Sequence, residues 1–202
     1  AAMAGALPGV EGEIGLNARE MLSTPSNAYV LWDIEPEFDL ANPAMAMETL
    51  GSADTVVAAA AFASEGLKAI ADVILPLAPT PESEGLYYSY DGQSFVTEPA
   101  VRASGQARAG WKILRRLGAE LELDGFSQVD ITSLRDEMLG EISQVTGSDE
   151  EVELATPAAG ADLYRVGDVG MYAVDGLCRR SEYLQQTVHA DIAFAGMNPD
   201  DA

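Results

Sequence analysis

Among residue types that can perform acid–base, metal or nucleophilic chemistry, this chain has carboxylates in excess and almost nothing else. Its 202 residues include 33 Asp and Glu against 11 Lys and Arg, with one histidine and one cysteine. Two carboxylate groupings have a spacing that invites chemistry. Asp33, Glu35, Glu37 and Asp39 alternate along a segment that follows a strand end, an arrangement that at first sight could cage a hard cation. Calcium loops need tighter, glycine-punctuated spacing, so these four are read as a solvated acidic loop. Glu82 and Glu84 flank Ser83 and could be imagined as an acid–base couple. Two residues apart in a loop, they are read instead as facing solvent or capping the next turn.

The remaining candidates are few. A nucleophile needs a base beside it, and spacing alone does not bring His189 to Cys178, so both are read as packing residues. With one Cys and one His, a zinc or iron–sulfur site within the chain is not expected. Arg102, Arg108, Lys112, Arg115 and Arg116 form a basic island with no acid among them. It is read as a solvated face pairing with the chain's surplus of acids, the alternative being a contact for an anion or a partner. Arg179-Arg180 poses the same choice, and a structural ion pair is expected there. No Gly-x-Gly-x-x-Gly follows a strand, the glycines of Leu7 to Gly15 have no strand before them, and no Gly-Lys-Ser/Thr loop exists.

Bulk properties bound the rest. A net charge of −22 argues against nucleic acid or an anionic membrane surface as partner, since both require a basic footprint. The longest apolar run, Thr55 to Ala63, falls far short of the roughly 20 residues that span a bilayer. The start lacks the features of a signal peptide. A soluble protein of a reducing compartment is expected.

The elements that must position these groups read as α/β in the first half. Ala28 to Trp32 is continuously apolar, as strands buried on both faces are. After the acidic segment, Pro43 starts a helix carrying Met45 and Leu50. Asp54 precedes a second strand, Thr55 to Ala61; a short helix follows from Gly66 to Ala71, then a third strand from Asp72 to Leu75, stopped by Pro76. Strand, helix, strand, helix, strand implies parallel pairing with right-handed crossovers, a partial Rossmann-like sheet. Leu86 to Thr97 reads as a hairpin turning at Asp91-Gly92. The second half is mostly helical: Gly105 to Leu121 carries Trp111, Leu114, Leu117 and Leu121, and Asp130 caps a helix with Ile131, Leu134, Met138, Leu139 and Ile142 at helical spacing. Gly147 to Glu153 reads as an acidic linker, Leu163 to Val166 and Met171 to Val174 as short strands, and Ser181 to Val188 as helix or strand. The expected division is residues 1–100, Rossmann-like, and 101–202, a helical continuation. Asn198-Pro199-Asp200-Asp201 has the chemistry of a helix start. With the Ala1-Ala2-Met3 opening, it leads us to expect a piece of a longer polypeptide.

Several of these residues carry a resemblance. Ala71-Asp72-Val73-Ile74-Leu75-Pro76, then Glu84-Gly85 and an aromatic hairpin, resembles the segment closing the third domain in the molybdopterin-oxidoreductase superfamily. Ala107 to Leu114 resembles that superfamily's arginine, tryptophan and helix continuation. Leu163 to Gly167, Met171 to Asp175, Arg179-Arg180 and Leu184 to Thr187 together resemble the large iron–sulfur G subunits of bacterial NADH–quinone oxidoreductase, respiratory complex I.

The resemblance implies a parent subunit with iron–sulfur clusters, other subunits of a respiratory complex as partners, and a place in the peripheral arm on the cytoplasmic face of the inner membrane, without direct membrane insertion. Catalytic members use strand ends of this domain to help hold a molybdopterin guanine dinucleotide. Here the family's threonine-glutamate-threonine is Ser64-Glu65-Gly66, its hairpin asparagine is Ser89, and its glycine-arginine turn is Gly92-Gln93. Loss of that arginine removes a bidentate donor for phosphate. The expectation is a non-catalytic structural domain with no catalytic, cofactor or metal residues of its own. The alternatives are part of a catalytic molybdopterin enzyme, such as a formate dehydrogenase or nitrate reductase, and an autonomous acidic binding module.

Overall fold

In the computed structural model of the chain, residues 15–89, 93–142 and 170–190 are described. The chain divides into two compact units, Ala1–Ser148 and Asp149–Ala202. In the first, the described elements run α1 (Ala18–Ser23), β1 (Ala28–Trp32), α2 (Pro36–Asp39), α3 (Pro43–Gly51), β2 (Thr55–Ala60), α4 (Glu65–Ile70) and β3 (Val73–Pro76). A hairpin of β4 (Gly85–Tyr88) and β5 (Ser94–Thr97) follows, then α5 (Gly110–Glu120) and α6 (Ile131–Ile142). The α/β class, the parallel sheet with flanking helices, the hairpin and the later helices are all as the periodicity implies.

β1, β2 and β3 form a parallel sheet in that order. Aspartate before the third strand has a specific use: Asp72 Oδ2 accepts from Val56 N at 2.8 Å while Asp72 N donates to Val56 O at 2.9 Å. The side chain and main chain of one residue thus pin the entry of β3 to β2. At the other end, β3 runs through Pro76 rather than stopping before it. Pro76 has no N–H to give, and Leu77 N donates instead to Ala60 O at 3.1 Å. Pro76 O then accepts from Arg108 N, and Ala78 N donates to Arg108 O, so Arg108 extends the sheet by one parallel bridge.

Most of the core lies on one face, Ala59 being buried on the other. Tyr29, Leu31, Val56, Ala58 and Ala60 pack with Leu50 of α3 and Leu67 of α4, the last two essentially inaccessible. The reading of Ala28 to Trp32 as buried on both faces is corrected here: Tyr29 and Leu31 are buried, whereas Val30 is 68% exposed. Both crossover helices pack on the Tyr29–Leu31 side; on the other side Ala28 and Val30 are exposed and Trp32 is half-buried.

Capping fixes the helix boundaries. Asn17 and Glu20 form a reciprocal capping box on α1, Asn42 accepts from Met45 N with Pro43 at the first turn of α3, and Ser64 accepts from Leu67 N at the start of α4. α5 begins at Gly110, five residues later than the apolar spacing suggested, because Arg108 is engaged in the sheet. The Asp91-Gly92 turn, the Gly147–Glu153 linker, the Leu163–Val166 strand and both chain ends lie outside the described residues.

In the second unit, Met171 to Val174 forms turns rather than a strand. It leads into α7 (Gly176–Arg180) and α8 (Glu182–Gln185), so the Ser181 to Val188 segment is helical over four residues and turns thereafter, with Asp175 and Ser181 as the N-caps. The segment is held by side chains reaching back to main-chain carbonyls: Arg179 Nη1 to Ala173 O at 2.9 Å, and Gln185 Nε2 to Tyr172 O at 3.1 Å and Cys178 O at 2.8 Å. Two side chains that claim three main-chain carbonyls in so short a stretch hold it in turns. Among the described residues, no helix is long and apolar enough to cross a membrane.

Candidate functional site

In open α/β sheets, ligands bind outside the carboxyl ends of the strands, where helix N-termini present unpaired N–H groups. In this chain that edge comprises the segments after Trp32 and after Ala60, and the Asp33–Asp39 acidic segment and the Ser64-Glu65-Gly66 run meet there. The acidic segment is not a solvated loop throughout. It contains α2, with Pro36 at its first turn, and Glu35 is buried at 5% exposure. Glu35 N donates to Asp39 Oδ2 at 2.6 Å, closing the turn. Asp33 takes the left-handed conformation at φ 51° and accepts weakly from Ala61 N at 3.5 Å. Glu37 reaches furthest: its Oε1 accepts from Gly66 N at 3.1 Å, and its Oε2 is buried without a hydrogen-bond partner.

Gly66 is what admits that carboxylate. A Cβ built there would lie 2.5 Å from Glu37 Cδ, well inside contact distance. Gly66 therefore makes the space that Glu37 fills, and a carboxyl group sits against the first turn of α4. A phosphate brought to the same turn would meet that carboxylate rather than donors. These residues do not suit the phosphates of a dinucleotide cofactor, and no group of His, Cys, Asp and Glu suited to a metal ion occurs among the described residues.

The second constellation joins Glu84 to α5. Glu84 Oε1 accepts from Trp111 Nε1 at 2.7 Å and lies 3.4 Å from Lys112 Nζ, while Lys112 stands 5.1 Å over the Trp111 ring. Desolvation pushes the Glu84 carboxyl up, but the Trp111 bond, its own backbone N–H and Lys112 together hold it below the usual carboxylate range. A carboxyl so held is a fixed anion, unsuited to giving up a proton near neutrality. Glu82 is used differently, its Oε2 accepting from Ser104 N at 2.8 Å. The two acids that spacing put forward as a couple are thus separate fasteners, one for α5 and one for the loop before it.

The basic island is dispersed in use and exposed in place. Arg115 Nη1 donates to Gln128 O at 2.9 Å, Arg116 pairs with Glu120 one turn on, and Arg108 Nη1 donates to Ala107 O at 2.8 Å. Arg102 is exposed beside Glu82 and Glu84. Arg179 engages Ala173 O and Arg180 Nη1 donates to Gly176 O at 3.1 Å. A structural ion pair was expected there; both residues anchor main-chain carbonyls. Cys178 is half-buried, and hydrogen bonding to the Asp175 carboxylate, with burial and that negative charge, pushes its thiol up. A thiol so held carries less thiolate at neutral pH than a free cysteine. His189 is exposed.

Sequence reasoning missed Arg135. It is buried at 9% exposure on α6, with Nη1 on Glu98 Oε1 at 3.0 Å and Nη2 on Thr97 O at 2.8 Å and Gly85 O at 3.3 Å. Gly85 and Thr97 are the opening register pair of the hairpin. One guanidinium therefore clamps both strands at their base. A signal existed: Arg135 lies four residues after Ile131 and three before Met138, on the stripe expected to be apolar.

Comparison with known proteins places this geometry. Residues 2–120 match the Molybdopterin oxidoreductase family. The chain is 39% identical over 88 residues to the mitochondrial NADH-ubiquinone oxidoreductase 78 kDa subunit of Neurospora crassa, covering 42% of this chain and 11% of that protein. It is 47% identical over 47 residues to the mitochondrial NADH dehydrogenase [ubiquinone] iron-sulfur protein 1 of Solanum tuberosum, covering 23% of this chain and 6% of that protein. The matched segments thus span about a tenth or less of the length of these curated relatives.

Proposed function

The chain belongs to the molybdopterin oxidoreductase family, and from that premise we propose that it is a non-catalytic structural part of the large iron–sulfur subunit of NADH–quinone oxidoreductase. It supports the peripheral arm through which electrons pass from NADH to quinone, the clusters being held by other parts of the subunit. Its partners are other subunits of the complex, and its place is the cytoplasmic face of the inner membrane.

The observation that carries this reading is Glu37. Its carboxylate occupies the first turn of α4 through Gly66 N, at the strand edge where a catalytic relative would bring cofactor phosphate. One cysteine in 202 residues supports the placing of clusters elsewhere. The family match is what favours the other reading, a catalytic molybdopterin enzyme.

Molybdenum and pterin analysis of the purified full-length polypeptide that carries this sequence separates the two. The structural reading expects neither; stoichiometric molybdenum with pterin would overturn it. The 202-residue chain alone is expected to show no NADH–acceptor reductase activity, and measurable turnover without added subunits would contradict the proposal as well.

A further inference from the structure

The sheet and its helices carry a large uncompensated negative charge. Residues 15–89, which hold α1 to α4 and β1 to β4, have eleven acids against two bases, Arg19 and Lys68. Seven of those acids are exposed. Of the two bases, Lys68 is already engaged by Glu65, three residues away, at 2.7 Å. The whole chain repeats the pattern, with 33 acids, nine arginines, only two lysines and a net charge of −22. The basic island from Arg102 to Arg116 supplies five cations, and Lys112 and Arg116 among them already face Glu84 and Glu120.

The core that must hold this charge together is built of small side chains. Of twelve buried apolar residues among those described, six are alanines: Ala46, Ala58, Ala59, Ala60, Ala78 and Ala109. A buried alanine withdraws a single methyl group from water, so it contributes far less than a leucine. Repulsion among the surface acids acts across the whole first unit when salt is low. At 0.02 M salt the screening length is about 20 Å, more than the roughly 15 Å radius of gyration of a unit this size. At 1 M it is about 3 Å, and acids on different elements no longer sense one another. The unfolded chain spreads the same charges through a larger volume, so the repulsion falls mainly on the folded state.

We propose that the fold of this chain is salt-dependent, stabilised by monovalent cations that gather around its acidic surface as a diffuse atmosphere. The cations substitute for the lysines and arginines that the sequence lacks. No group of His, Cys, Asp and Glu among the described residues suits a discrete metal ion, and screening of this kind does not depend on which cation supplies it. High salt also strengthens the burial of apolar surface, which adds to the effect where the core is largely alanine.

Urea unfolding of the 202-residue chain, followed by the fluorescence of Trp32 and Trp111, tests this; urea is used because it is uncharged. Between 0.02 M and 1 M KCl the midpoint is expected to rise by about 1–2 M, most of it below about 0.5 M salt. Sodium and tetramethylammonium chloride should act as KCl does. The charge itself is tested with Glu48→Gln/Asp54→Asn/Glu122→Gln/Asp136→Asn, at exposed acids whose side chains bond nothing among the described residues. These substitutions take the net charge from −22 to −18. Self-repulsion scales roughly as the square of the charge, so about a third of the salt response should disappear and the midpoint at 0.02 M should rise. A midpoint that stays flat or falls with salt overturns the proposal. So does a rise given by one cation alone, which is the mark of a discrete site, and so does a variant whose salt response equals the parent's. Should the variant not fold, the parent's titration in the three chlorides decides by itself.

Discussion

Arg135→Met offers the sharpest check on how the first unit is held together. An isolated two-stranded hairpin is marginal in water, and β4–β5 has four register pairs. Its stacked Tyr87 and Phe95, with centroids 6.2 Å apart, are themselves substantially exposed. What fixes the hairpin to α6 is the guanidinium on Thr97 O at 2.8 Å and Gly85 O at 3.3 Å. A hydrogen bond from a charged donor contributes about 1.5–3 kcal/mol, which the short Thr97 bond should approach and the longer Gly85 bond should not. The Glu98 pair adds roughly 0.2–1 kcal/mol, because that carboxylate is largely exposed. Against these stands the cost of burying a guanidinium whose Nε has no hydrogen-bond partner, a cost methionine does not carry. The net expected loss is about 2–3 kcal/mol, a shift of roughly 1 M in urea midpoint at a typical slope. Hydrogen exchange should show the β4 and β5 amides losing protection before those of β2. Glu98→Gln is the internal control and should cost no more than about 0.5 kcal/mol. A change below about 0.5 kcal/mol in Arg135→Met, or hairpin amides as protected as before, would refute the clamp.

Two further substitutions test the α5 region. Glu84→Gln should cost about 1 kcal/mol at pH 7 through the weakened bonds to Trp111 and Lys112. Because the Glu84 carboxyl is held below its ordinary range, the stability it contributes is present at neutral pH and lost as pH falls through that lowered value. Urea titrations of both proteins should therefore converge at acid pH, and a gap that persists there would sink the assignment. Gly118→Ala should destabilise by about 1–3 kcal/mol despite the better helix propensity of alanine. Its Cβ would stand 2.2 Å from Phe126 Cγ, near the root of the ring rather than at a flexible end. Phe126→Leu in the same chain should recover part of the loss in thermal melts, and no recovery would show that the ring is not the obstacle.

The elements were legible wherever local chemistry and tertiary packing agreed. β1, β2 and β3 follow from apolar β-branched runs bounded by polar loops, and α3, α4 and α6 from caps of Asn42, Ser64 and Asp130. The extent of burial was not legible. A continuous apolar run predicts two covered faces only if something covers them, and the covering element is not a property of the strand itself. α2 was missed because four residues of mixed polarity give no periodicity, although Pro36 after an extended Glu35 is a helix-start signature. Met171 to Val174 misled for the opposite reason: its composition suits a strand, but carbonyls claimed by Arg179 and Gln185 bend it into turns.

The candidate site was less legible than the fold because each candidate was judged by its own type and spacing. Glu37 stood among four alternating acids, and nothing in that pattern distinguishes it from Asp33 or Asp39. What separates it is Gly66, 29 residues away, whose missing side chain admits the carboxylate. The same holds for Glu84, made a fixed anion by Trp111 27 residues on. Long-range pairing is invisible to periodicity, but it leaves a trace in the resemblance. The residues on which the resemblance rests include Asp72, Glu84, Trp111, Asp175, Arg179 and Gln185, and each of them in this structure bonds the backbone or a neighbouring side chain. A motif made of fasteners persists as long as the fold does, whatever becomes of the ligand. Family membership is therefore sound evidence for how this chain folds, and the chemistry has to be judged at Glu37 and Gly66, where a carboxylate fills the first turn of α4.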